Sequence, residues 1–210
     1  MKNTLFILAA FVLLGAACNK AQAPTNTDNL PFSPDQPTSG NQNSSPAPAA
    51  AVSTYRNATY NFEFQYSAEF SFTDAIYANL QQKIVQVNLA QSEYPKTNFG
   101  DAALSFSIQP VSSLQACLSA NLSENAAGFK ETRSINGVTF YLGQGNGAAA
   151  GNFYDSRIFR TFRSGSCFEI AETLHTSNIG NYEPGTVTEV DPKPIWERLD
   201  KILASFKFTA

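Results

Sequence analysis

The stretch that most restricts the fold is TYRNATYNFEFQYSAEF, residues 54 to 70. Tyr60, Phe62, Phe64 and Tyr66 alternate there with Asn61, Glu63 and Gln65. A period of two sends successive side chains to opposite faces of an extended chain, so the pattern suits a half-buried strand and not a helix. A row of aromatics can also stack on bases or sugars; we read this one as the core face of a strand. Runs from Lys83 to Leu89, Ala103 to Gln109, Phe129 to Arg133, Val138 to Leu142, Tyr154 to Arg163 and Cys167 to Leu174 read as further strands. Most of the 17 Phe and 8 Tyr lie beyond residue 53, and such content favours pleated sheets. Asn136-Gly137 marks a tight hairpin, and Arg163-Ser164-Gly165 suits a three-residue loop with Gly165 left-handed. Two helices are expected. Ser113 to Leu122 places Leu114, Cys117 and Leu118 on one face. The second starts at Pro192 or Pro194, capped by Asp191, and ends at Ser205; Ile195, Leu199, Ile202, Leu203 and Phe206 form its apolar stripe.

The N-terminus reads as an address. Lys2 is followed by Leu5 to Leu14 without a charge. That run falls short of the roughly 20 residues of a membrane span but has the length of a signal-peptide core. Gly15, Ala16 and Ala17 then lead into Cys18, with Asn19 after it. The segment LLGAACNK resembles the lipobox of bacterial lipoproteins. The resemblance implies a signal peptide over 1–17 and a diacylated Cys18 as the mature N-terminus; an incidental cysteine beside an ordinary cleavage site is the alternative. Two or three acyl chains hold a protein stably on a bilayer. The expected location is the cell envelope, facing outside the cytoplasm, with Asn19 pointing to the outer membrane where there are two. Residues 18–52 hold six of the 11 prolines and few large apolar side chains. They are expected to be a disordered tether that lifts a globular domain, 53–210, off the membrane.

The expected fold class of that domain is α+β: an antiparallel β-sheet flanked by helices. The pattern Y-x-N-x-x-Y-x-F-x-F-x-Y at Tyr55 to Tyr66 resembles the opening of PsbP-like (Mog1/PsbP) α/β sandwich domains. ILASFKF, Ile202 to Phe208, is similar to their closing helix and strand. HTSNIGNYEPGTVTEVD, His175 to Asp191, is similar to a group of uncharacterised bacterial lipoproteins carrying such a domain. Ser67 and Phe70 stand where the family has Pro and often Trp. PsbP proteins attend a manganese-calcium site, but no matching ligands occur here, so no metal or cofactor is expected.

The net charge of −3, without a basic stripe, argues against a nucleic-acid partner. Cys117 and Cys167 are most simply a disulfide in an oxidising compartment, with two buried thiols as the alternative. His175 is the single histidine and ends a strand. Under either plausible three-residue loop it is expected to approach Asp155 across the hairpin, next to Asn178 and Asn181. One reading makes this a ligand or catalytic site with Ser156 or Ser177 as nucleophile. The favoured reading is a strand-end ion pair whose asparagines satisfy turn backbone. LGQGNGAAAG, Leu142 to Gly151, lacks the spacing of a nucleotide-binding loop and is expected to be a mobile hairpin loop. The function expected is a noncatalytic binding or accessory module of the envelope, acting on a small ligand or an envelope protein. A hydrolase-like enzyme using Asp155 and His175, and a protein-interaction scaffold with an exposed aromatic patch, are the alternatives.

Overall fold

The alternating aromatics form strand β2 (Phe62–Ser67), which pairs antiparallel with β1 (Val52–Asn57) so that Tyr55 faces Phe64 and Arg56 faces Glu63. The computed structural model describes residues 51–78, 81–122 and 126–209. Cys18, the expected signal peptide and nearly all of the expected tether lie outside them. The short strand β10 (Lys207–Phe208) joins the other edge of β2, completing a three-stranded sheet.

A second sheet has seven strands: β3 (Phe70–Ala78), β4 (Gln81–Leu89), β5 (Phe99–Pro110), β6 (Ala127–Ile135), β7 (Val138–Ala149), β8 (Asn152–Arg163) and β9 (Ser166–Ser177). Their spatial order is β3-β4-β5-β9-β8-β7-β6, antiparallel throughout. Among the described residues there are two α-helices, α1 (Leu114–Leu118) and α2 (Pro192–Ser205). Antiparallel sheets with two helices are the expected class.

The small sheet and α2 cover one face of the large sheet. Phe62 and Phe64 of β2 are buried and stack on Phe106 of β5, with ring centroids 5.5 and 4.3 Å apart. Val85, Val87 and Leu89 of β4 share that core with Leu104, Ile108, Phe159 and Ile170. Ile195, Leu199, Ile202 and Leu203 of α2 complete it, so the expected stripe is the buried one. Asp191 caps α2 by accepting from the Lys193 amide at 3.0 Å, and Pro192 fits the first turn, where its missing N–H costs nothing.

Several elements differ from expectation: β1 and β3 are not among the expected strands, and α1 and the glycine-rich stretch differ in extent. α1 spans five residues, opened by Ser113, whose Oγ accepts from the Ala116 amide at 3.1 Å. The glycine-rich stretch is no loop: β7 runs through it to Ala149, paired residue by residue with β8, and the turn is only Ala150-Gly151, both at positive φ (50° and 78°). Gly143 is there for space. A Cβ at that position would lie 2.7 Å from the Phe129 ring, which in turn packs 4.4 Å from the Arg160 guanidinium.

Cys117 and Cys167 form a buried disulfide that ties α1 to the start of β9, with Cα atoms 5.0 Å apart across 50 residues of sequence. Beside it Arg160 donates to the carbonyls of Cys117 (3.2 Å) and Leu118 (3.0 Å), so a buried cation satisfies the end of α1.

Candidate functional site

Register decides which polar side chains meet. The β8–β9 turn has two residues, Ser164 and Gly165, at φ of 49° and 75°, and Arg163 faces Ser166. The expected three-residue loop would have brought Asp155 opposite or diagonal to His175. With two residues the pairing moves one step, so Asp155 faces Leu174 and Tyr154 faces His175. A one-residue slip exchanges the faces of a strand. Asp155 and His175 therefore point to opposite sides of the sheet and do not pair.

The carboxylate at His175 is Asp101 of β5, with Oδ2 2.9 Å from Nδ1. Asn152 Oδ1 lies 3.0 Å from Nε2 and also accepts from Ser177 Oγ at 3.2 Å. Tyr154 stacks on the imidazole with centroids 4.6 Å apart and planes at 13°. Both ring nitrogens are thus engaged within the protein. Ser156 Oγ pairs instead with Thr173 Oγ1 at 3.3 Å, so neither expected nucleophile is bonded to the imidazole. This cluster fastens the ends of β5, β8 and β9 together.

Asp155 faces a cleft of about 690 Å3 at the end of the sheet. Asn178 and Glu189 share its lining with Asn98, Asn146 and Phe153. Two carboxylates and three amides thus surround a floor that includes Leu174, Ile179 and Val190. The walls are pinned by Asn98, which is buried: Nδ2 donates to the Ser177 carbonyl and Oδ1 accepts from the Val190 amide, each at 2.8 Å. Phe153 remains 43% exposed at the mouth. The expected asparagines also hold turns. Asn178 Oδ1 accepts from the Gly180 amide at 2.9 Å, and Asn181 Nδ2 donates to the Gly151 carbonyl at 3.2 Å. Asn98 and Glu189 were not expected in a site; they are distant in sequence and carry no motif.

Buried charge lies on both faces of the large sheet. Arg160 Nε donates to Glu169 Oε2 at 2.8 Å, both side chains being almost wholly enclosed. On the α2 side, Arg157 Nη2 lies 2.7 Å from Glu172 Oε2 and also donates to Asp200 Oδ2 at 3.1 Å. Among the described residues, no donor makes an aligned hydrogen bond to either Glu172 oxygen. Burial pushes the Glu172 carboxyl up to about 7, against the pull of Arg157 and with a further push from Asp200.

No protein-family model and no curated protein matches the chain. Several solved structures are similar to it, among them these two. A crystal structure of a protein from Bacteroides thetaiotaomicron VPI-5482 is 12% identical with a TM-score of 0.43; the match covers 75% of this chain and 48% of that one, so the chain spans about half its length. The solution structure of CyanoP, the cyanobacterial PsbP of Synechocystis sp. PCC 6803, is 14% identical with a TM-score of 0.41, covering 78% of this chain and 96% of that one.

Proposed function

We propose that the protein is a lipid-anchored binding module of a bacterial cell envelope, built on a PsbP-like domain, that takes a small polar ligand in the cleft beside Asp155. The observation that carries this reading is the cleft itself. It is about 690 Å3, within the range of ligand sites, and it combines apolar floor with a few convergent polar groups on pinned walls. A binding role is favoured over hydrolysis because His175 is committed to Asp101 and Asn152 and points away from Asp155. The anchor rests on LLGAACNK and its lipobox resemblance. Among the described residues no helix is long and apolar enough to cross a membrane.

The test is a thermal-shift screen of the full chain in detergent against metals, sugars, nucleotides and envelope fragments. A ligand at 100 times its dissociation constant adds about 2.7 kcal/mol of apparent stability. The expected result is a stabilising compound whose effect disappears in Asp155→Ala and survives in His175→Ala. An empty screen, or a shift lost in His175→Ala but kept in Asp155→Ala, would overturn the reading.

A further inference from the structure

The β7–β8 hairpin that walls the cleft has a second cavity on its other side. A trough of about 420 Å3 crosses β4, β5, β9, β8 and β7, on the sheet face opposite the Phe106 core. Asn146, Gly147 and Ala148 line both cavities, so the wall between them is a single strand. The floor is made of short side chains: Ser105, Ser107, Ala171, Thr173 and Ser156. Tyr154 stands at one end, 38% exposed, with one face of its ring already against His175.

Lys83 stands at the other end and is the one charged side chain among the described residues that line the trough. A β-bulge between Lys83 and Val85 turns Lys83 and Gln86 to this same face. Lys83 Nζ donates to Gln86 Oε1 at 2.9 Å. An ammonium has three protons to donate, so this bond leaves donor capacity facing the cavity. Burial holds the Lys83 ammonium below the usual lysine range, with Glu169, on the same face two strands away, opposing that shift. The Glu169 carboxylate itself is enclosed, and its Oε2 is engaged by Arg160.

We propose that this trough binds an organic anion, its carboxylate or phosphate group on Lys83 and its polar body along the serine and threonine hydroxyls. A partly desolvated cation gains more from an anion than an exposed one does, because the local dielectric is lower. Hydroxyls both donate and accept, which suits a hydroxylated body such as a sugar acid or sugar phosphate. The cleft across the wall is lined by Asp155 and Glu189, whose carboxylates disfavour the same ligand there. The trough stands on its own residues and does not depend on what the cleft binds.

The experiment is calorimetric titration of the full chain in detergent with galacturonate, glucose 6-phosphate and glucose. At least one anion is expected to bind, with glucose at least tenfold weaker. Binding of only one anion identifies carboxylate or phosphate as the group recognised. Lys83→Gln and Ser107→Val should each weaken it, the first by tenfold or more, while Lys83→Arg retains it and melting temperatures report that each variant is folded. Absence of anion binding, equal affinity for glucose, an unchanged affinity in folded Lys83→Gln, or loss in Asp155→Ala instead would overturn the proposal.

Discussion

Replacing Gly100 by alanine would place a Cβ 2.5 Å from His175 Nδ1, where the bond to Asp101 now lies. Overpacking of this kind costs about 1–3 kcal/mol. Urea unfolding of Gly100→Ala should show that loss, and a variant as stable as wild type would mean the imidazole is not held as described. Glu172 makes a second prediction. Its carboxyl is raised from 4.5 to about 7 in the fold, so between those values the folded state holds more protons than the unfolded one. Stability from this group is present at pH 4.5 and below, and is lost as the pH rises through about 7. The full difference is worth roughly 3 kcal/mol. Glu172→Gln should therefore flatten the decline in stability between pH 5 and 8 and be the more stable protein at pH 8. A pH dependence of stability that Glu172→Gln leaves unchanged would contradict this. The expected pairing of His175 with Asp155 was wrong, and its real partner, Asp101, was not legible. The partner of His175 lies 74 residues away in β5, and no local pattern marks it.

At the scale of elements, what was legible is what local chemistry dictates. Asn136-Gly137 turns the β6–β7 hairpin with both residues at positive φ, because glycine and asparagine accept it most readily. The stripe from Ile195 to Leu203 fixed both the period of α2 and its buried side. β7 was not legible beyond Leu142, since glycines weaken a strand taken alone; its nine paired residues with β8 supply what propensity lacks. The hairpin at Ser164-Gly165 and its left-handed Gly165 were expected, but its closure by two residues and not three was missed for a related reason. Serine at positive φ is uncommon, and two strongly paired strands hold it there. The disulfide gives this scale its prediction. Closing 50 residues of chain contributes about 4 kcal/mol through the unfolded state. Reduction should lower the urea midpoint accordingly and loosen α1 first, seen as faster amide exchange at Ala116 to Ser119. An unchanged midpoint after verified reduction would remove the bridge from the list of what stabilises the fold.

At the scale of the whole molecule, the described residues build a two-sided sheet. One face of the seven-stranded sheet is spent on the core under β2 and α2, and the β7–β8 hairpin walls two cavities. Aromatic alternation made the core face readable in advance; the cavities were not, because they arise from the long-range pairing of β4, β5, β7, β8 and β9, which no local pattern marks. Anchoring makes a separate prediction: Cys18→Ser should move the protein out of the membrane fraction, and retention there with an unmodified residue 18 would count against lipidation. The most direct measurement of the binding role is a map of backbone amide shifts on adding the first compound that stabilises the full chain in an Asp155-dependent way. Binding in the cleft moves the amides of Asn146, Asp155, Asn178 and Glu189 and spares those around Ser107. Shifts centred on any other surface, with these four unmoved, would contradict the cleft as the site of function.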